Sequence, residues 1–268
     1  MRKILFLVSI VLFFSACTSN QKTYYISMPT FKSTFKEHNI TNKNALKVKI
    51  SDIEIIKNTF YSSYFEQSTL NQRINKSLEL LKNQLLEDSK TLLQSKGYTI
   101  NNENPDYTFN IIISANLYED KVSRNSSLGG NSIESSFMII LEAQSNFINL
   151  KQDQTFNTTT SSTKLNEPIN LNYPIKGDAT IESFRQVYSA VPTQINESIA
   201  ASALEVDKVF VSFYKEITST LKTNIEEFKD EHEINENKLE SHEEKTINKT
   251  NTNENTSPYQ NNEIIIFE

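Results

Sequence analysis

The 268-residue sequence has no Trp, one Cys, three His, four Gly and six Pro. A single Cys excludes intramolecular disulfides and Cys-based zinc sites. Four Gly do not furnish a Gly-rich phosphate cradle as well as ordinary turns. The three His are scattered, with His38 near the start and His232 and His242 near the end. No Ser/His/acid arrangement of the nucleophilic kind is credible from them. His232, Glu233, His242 and Glu243 read as a solvated acidic stretch, because a metal site without a fixed frame loses ordering entropy on binding. The chain also lacks a basic excess: 27 Lys+Arg stand against 33 Asp+Glu, a net charge of −6. Residues 229–268 hold ten acids and four Lys, so the remainder is close to neutral. A nucleic-acid-binding protein would show a concentrated basic face. The expectation is a protein that is not an enzyme, with no catalytic residue, no cofactor, no metal and no nucleic-acid partner.

Long apolar runs are scarce too, and the one near the start is short. Arg2 and Lys3 precede an apolar stretch from Ile4 to Phe14, broken only by Ser9, and the small residues Ser15-Ala16 follow. This is the secretory signal pattern, too short to span a bilayer as a stable helix. The small residues lead directly into Cys17, the sole Cys. Phe14-Ser15-Ala16-Cys17 resembles a bacterial lipobox, with Phe14 where that pattern prefers Leu. The resemblance implies cleavage before Cys17 and lipid modification of Cys17 by acyl chains of the palmitate kind. Each buried methylene contributes roughly 0.8 kcal/mol and stable anchoring takes more than one chain, a condition that a Cys with two or three chains meets. Thr18 rather than Asp follows the Cys, which in Gram-negative lipoproteins resembles the outer-membrane sorting default. No other segment reaches 18 apolar residues.

Composition, together with the lipobox resemblance, predicts a lipoprotein signal peptide at 1–16, a lipidated polar tether at 17–45, an α+β domain at 46–228 and a disordered acidic tail at 229–268. The tether carries Tyr24, Tyr25, Phe31 and Phe35 as its aromatic contacts. In the domain, Leu46, Val48, Ile50, Ile53 and Ile55 alternate with polar residues apart from a shift near Ser51-Asp52, as in a half-buried strand with a bulge. Residues 66–96 have helical spacing through Leu70, Ile74, Leu78, Leu81, Leu85 and Leu92, with Asn71, Lys82, Asn83 and Lys90 on the other face. Ser68 suits the N-cap and Gly97 the C′ position. Tyr98-Thr99-Ile100 is a short strand. Tyr107 to Leu117 alternates strictly, and a second long strand runs from about Ser136 to Leu150 with Phe137, Ile139, Leu141, Ala143, Ser145 and Phe147 on one face. Gln152-Asp153-Gln154 reads as a hairpin turn before an exposed Thr-rich strand at 155–163. Residues 164–192 contain three Pro and read mostly as loop. Pro192 suits the first turn of a last helix, from about 193 to 228, with Ile195, Ile199, Ala203, Val206, Phe210, Phe213, Ile217, Leu221 and Ile225 at steps of three and four. The expected fold is α+β, an antiparallel sheet with two long helices packed on one face.

Among exposed segments, Asp120 to Asn131 reads as a polar loop with Gly129-Gly130, rich in groups that recognise protein or carbohydrate. Glu142 lies among apolar residues, but the alternation points it to the polar face. Asn39-Ile40-Thr41 after Glu37 resembles an extended bacterial N-glycosylation sequon. Ile264-Ile265-Ile266-Phe267 form a lone apolar cluster that could add a strand to a partner.

The pattern resembles the neuraminyllactose-binding haemagglutinin lipoproteins, the HpaA-type adhesins of epsilonproteobacteria. The features that carry this are the lipobox Cys17, the helix end Leu92-Leu93-Gln94-Ser95-Lys96-Gly97-Tyr98, a strand and polar loop over 111–131, and a C-terminal helix opening near Ile199-Ala200-Ala201-Ser202-Ala203-Leu204. The similarity covers roughly 46–228 in matching order. It implies a surface-exposed outer-membrane lipoprotein linked to adhesion, with a sialic-acid-binding run at Asp120-Lys121-Val122-Ser123-Arg124-Asn125-Ser126. That run retains Lys121 and Arg124 as its basic residues, and a sialyl carboxylate could pair with Arg124. The partners expected are the membrane, through the N-terminal lipid, and a host glycan. The alternative is a periplasm-facing accessory of an envelope transport or assembly system, whose partner is an envelope protein.

Overall fold

The computed structural model describes residues 22–36, 46–127, 130–175 and 191–247. The signal stretch, Cys17, the sequon at 39–41 and the cluster at 264–267 lie outside them. The chain divides into two compact units, Met1–Glu227 and Phe228–Glu268. In chain order the elements are β1 (Thr23–Tyr25), β2 (Lys47–Ile50), β3 (Glu54–Phe60), α1 (Ser63–Glu66), α2 (Thr69–Ser95), β4 (Thr99–Ile100), β5 (Tyr107–Ser127), β6 (Gly130–Asn149), β7 (Gln154–Lys164), β8 (Ile169–Ile175), β9 (Gln194–Asn196) and α3 (Glu197–Ile247). Of the second unit, the described part is the end of α3.

The class is α+β. Seven strands form one sheet in the order β4-β2-β5-β6-β7, with β3 also beside β5 and β8 also beside β6, while β1 and β9 form a separate ribbon. The hairpin β5–β6 is its spine, with Phe109 opposite Phe147, Ile113 opposite Ala143 and Leu117 opposite Ile139. These odd-numbered residues are buried. Their even-numbered neighbours face the other side, as the period of two requires. The sheet is mixed rather than purely antiparallel. β2 and β3 both pair with β5 in parallel, because α2 carries the chain back across the sheet before β5 begins. The irregularity foreseen near Ser51-Asp52 is the break between β2 and β3.

Both long helices lie on the face of the odd-numbered residues. Lys57 of β3 donates to Asn71 and Asn75 of α2 at 2.8 and 2.7 Å. Asn224 of α3 donates to the Ser145 carbonyl of β6 and to Thr159 Oγ1 of β7. Three links join the helices in the same order along each, Arg73–Asp207, Asp88–Tyr214 and Lys96–Glu226, so α2 and α3 run parallel. Ser68 caps α2 by accepting from Asn71 N, and Gly97 takes φ 93° just past its end. Asn71, assigned to the polar side of α2 by spacing, is buried where it accepts from Lys57.

Several segments differ from the sequence expectation. The loop expected at 120–131 is instead an extension of the β5–β6 hairpin, paired to Ser127 and Gly130. Its polar residues suit a ribbon whose backbone groups satisfy each other. The loop expected at 164–192 contains β8, on which Leu171, Tyr173 and Ile175 are buried. Pro174 fits there because β8 pairs on one side only, with β6. Residues 194–196 form β9 before α3 starts at Glu197. The backbone of α3 stays helical to Ile247, through residues whose composition suggested disorder. Glu and Lys, abundant there, are strong helix formers.

The described part of the tether is not free. β1 pairs with β9, and Ile26 N donates to the Thr193 carbonyl at 2.9 Å. Arg73, wholly buried, forms a two-pronged pair with Asp207 at 2.9 and 2.6 Å. Its remaining donors go to the carbonyls of Ile26 at 3.0 Å, Pro192 at 2.8 Å and Ser27. One guanidinium thus fastens residues 26–27 to α2, α3 and the approach to β9. Phe31 adds a ring contact with Tyr214 at 5.3 Å.

Candidate functional site

The described residues contain no cluster of three His, Cys, Asp or Glu placed to hold a metal ion, and no helix long and apolar enough to cross a membrane. The buried polar groups serve packing. Asp88 accepts from Tyr214 OH at 2.6 Å and from Gln84 at 3.0 Å. Burial, and then the hydrogen bond to Asp88, push the Tyr214 phenol well above its ordinary range. Glu119 accepts from Tyr173 OH at 2.6 Å and from Ser62 N and Oγ at 2.9 and 2.6 Å. Tyr173 is raised in the same way, first by burial and then by Glu119. Each acid is consumed in joining elements: Asp88 joins the two helices, and Glu119 joins β5, β8 and the N-cap of α1. A half-buried Lys57, lowered by burial, is held by Asn71, Asn75 and Tyr61. A space between the sheet and α3, lined by Ile111, Ala143, Ser145, Ile217 and Leu221, is too small to hold a water molecule.

The remaining candidate is the even-numbered face of the sheet, over which no described helix lies. Its cross-strand rows follow from the register. Phe60, Tyr118 and Met138 form one row, and Asn58, Asn116 and Ile140 the next. Phe60 and Tyr118 stack at 5.1 Å with their planes 4° apart. Phe60 is 58% exposed and Tyr118 39%. Beside this pair, Asn58 Nδ2 donates to Asn116 Oδ1 at 2.8 Å, and Asn116 Nδ2 donates to Glu142 Oε2 at 3.2 Å. Glu142 is exposed on this polar side, as its alternation indicated. Exposed rings beside an amide and carboxylate ladder offer an apolar platform with adjacent donors and acceptors. Such rings can stack on a flat surface, and the adjacent amides and carboxylate can exchange hydrogen bonds with it. No local pattern singles out Phe60. β3 becomes its platform only because it runs parallel to β5, a pairing between segments 58 residues apart that no local pattern reveals.

Lys121 and Arg124 lie on the hairpin extension, past the point where β3 stops pairing. The register slips between Asp120 and Ser123, so β5 carries one extra residue there, and Lys121 takes φ 54°. Such a bulge bends the strand and reverses which residues face which side. Arg124 therefore stands opposite Ile133, a buried residue of the helix-bearing face. Both cations are exposed. Asp120 accepts from Lys121 N at 2.7 Å, and Glu134 pairs in register with Ser123, so acids flank the two cations. Arg124 is thus on a different side of the sheet from the Phe60–Tyr118 platform, Lys121 sits in the bulge itself, and Cys17 lies outside the described residues.

No family model matches the chain, and no curated protein matches it. Among solved structures, the chain is similar to a homolog of the neuraminyllactose-binding hemagglutinin from Helicobacter pylori, at 14% identity and a TM-score of 0.43, over 77% of this chain and 99% of that one. It is also similar to a minor lipoprotein of Acinetobacter baumannii, at 9% identity and a TM-score of 0.27, over 66% and 93%. A lipoprotein of Neisseria meningitidis matches at 8% identity and a TM-score of 0.24, over 46% and 83%. These relations are distant.

Proposed function

We propose that this chain is a non-catalytic outer-membrane lipoprotein of a Gram-negative bacterium, anchored through a lipid-modified Cys17, with its body at the cell surface acting as an adhesin toward sialylated glycans. The observation that carries the reading is the sheet face that no described helix covers, where the Phe60–Tyr118 stack adjoins the Asn58–Asn116–Glu142 ladder. The lipobox-like Phe14-Ser15-Ala16-Cys17 supports the anchor. Lys121 and Arg124, on the hairpin extension away from that stack, supply cations for a sialyl carboxylate, and the open sheet face supplies a separate ring-stacking surface for sugars. The alternative reading, a periplasm-facing accessory of an envelope transport or assembly system, draws on the same sheet face, with a protein as its occupant.

Protease shaving of intact cells tests the reading, with lysed cells and a Cys17→Ala variant as controls. Digestion of the body on intact cells is expected, followed by binding to sialylated glycan arrays that weakens in Tyr118→Ala and in the Lys121→Ala/Arg124→Ala pair. Full protection until lysis would remove the adhesin reading and turn the search to periplasmic partners. Retention of Cys17→Ala in the membrane would remove the lipid anchor.

A further inference from the structure

Only six peptide steps separate Cys17 from Thr23, the first residue of the ribbon. Fully extended, that length spans about 20 Å. The ribbon itself cannot pay out more chain. Glu197 N donates to the Lys22 carbonyl at 2.9 Å, Tyr24 OH donates to Glu197 Oε1 at 3.0 Å, and Arg73 grips the carbonyls that follow. A lipid on Cys17 therefore holds the β1–β9 corner close to the bilayer, whatever the length of the polar segment up to residue 45.

That corner carries exposed amphipathic and apolar side chains. Tyr25 is 77% exposed, Leu204 47%, Val191 46% and Tyr24 44%. Leu204 lies seven residues beyond Glu197 on α3, so it shares the helix face that Tyr24 touches. Lys22, the residue before β1, is exposed as well. Tyr places an apolar ring and a polar hydroxyl at one boundary, which is why it collects at membrane–water interfaces, and Lys is drawn to anionic headgroups.

We propose that the β1–β9 corner, through Tyr25, Tyr24, Val191 and Leu204, is a membrane-docking surface that seats the body on the same phospholipid bilayer that holds its anchor. The inference rests on the lipid-anchor part of the proposed function and adds an orientation to it. Ser198 bonds to the Asn172 carbonyl, and Asn172 pairs with Glu134, so the hairpin extension with Lys121 and Arg124 leaves the sheet at this same end. The Phe60–Tyr118 row, at Met138, and Glu142 lie four and eight residues further along β6 than Glu134.

Because the chain has no Trp, single reporters test this directly. Lipidated full-length Tyr25→Trp, Leu204→Trp and Leu150→Trp variants are reconstituted into phosphatidylethanolamine/phosphatidylglycerol vesicles that contain a lipid spin-labelled near the headgroup. Leu150 sits at the β6–β7 turn, roughly 50 Å along β6 from Glu134. All three variants are expected to float with the vesicles, and the first two to lose several times more emission than the third. Flotation with equal quenching at all three positions overturns the docking surface and leaves the anchor standing. Failure to float overturns the anchor and the docking surface with it. Two reporter positions, both exposed, keep the test decisive if one variant folds poorly.

Discussion

Leu117 and Tyr118 are neighbours in the chain and opposites in the molecule. Leu117 is fully buried against the helix-bearing side, opposite Ile139, whereas Tyr118 stands on the open side, stacked with Phe60. The same contrast runs along the whole β5–β6 hairpin. One face is Phe, Ile, Leu and Ala, closed by α2 and α3. The other mixes Asn, Ser, Thr and Glu with a few large apolar residues that nothing described covers. The closed face accounts for stability, while the open face keeps exposed rings that contribute little to folding, and exposed apolar surface of that kind marks contact sites.

Substitutions sharpen or break this contrast. The largest loss is expected at Arg73. Arg73→Ala strands Asp207 as a buried charge and removes donors from three carbonyls, at a cost of about 3–5 kcal/mol from the unpaired charge. Urea unfolding would show it as a lower midpoint, and hydrogen exchange should rise over residues 22–36. Unchanged exchange there would mean that the ribbon holds the segment without the guanidinium. Next, Leu117→Ala should destabilise by about 2–5 kcal/mol through lost burial and the cavity left behind. Tyr118→Ala, one residue away, should cost about 1 kcal/mol or less, since it removes mainly a ring stack on an exposed face. Equal midpoints for these two variants would erase the distinction between the faces.

The smallest expected effect is at the rim, where Lys96 Nζ meets Glu226 Oε1 at 2.6 Å. The hydrogen bond from Lys96 holds the Glu226 carboxyl below its ordinary value of 4.5. A depressed carboxyl contributes stability that is present above the unfolded-state value and is lost as pH falls through the folded one. Glu226→Gln should therefore lower stability at neutral pH and make no difference once both forms are protonated at strongly acidic pH. Because the pair is largely exposed and screened, the loss is a few tenths of a kcal/mol. Thermal melts of parent and variant at pH 7 and pH 3 would reveal it, and a difference that persists at pH 3 would assign the effect to helix propensity instead.

Periodicity made the two long helices, the β5–β6 and β7 strands, the Ser68 cap and the Gly97 terminus legible in the sequence, because each depends on neighbours within a few residues. The alternation in Tyr107–Leu117 and Phe137–Phe147 also showed which residues would be buried. β8 escaped notice because Pro168 and Pro174 obscured the alternation of Ile169, Leu171 and Tyr173, and an edge strand tolerates such residues. The bulge at Lys121 was equally hidden, so Arg124 could not be placed on a face. In the candidate site, Glu142 was oriented correctly by alternation, but Phe60 had no signal until β3 was paired.

By itself the sequence determined the α+β class and the amphipathic face of each long element, both of which follow from local spacing and residue chemistry. Tertiary structure alone decided that β2 and β3 lie parallel to β5, that Phe60 meets Tyr118, and that Arg73 clasps residues 26–27 against Asp207. Each joins segments from some fifty to well over a hundred residues apart. Their partners are selected by burial and by the need to satisfy a buried charge, conditions that exist only once the chain has closed.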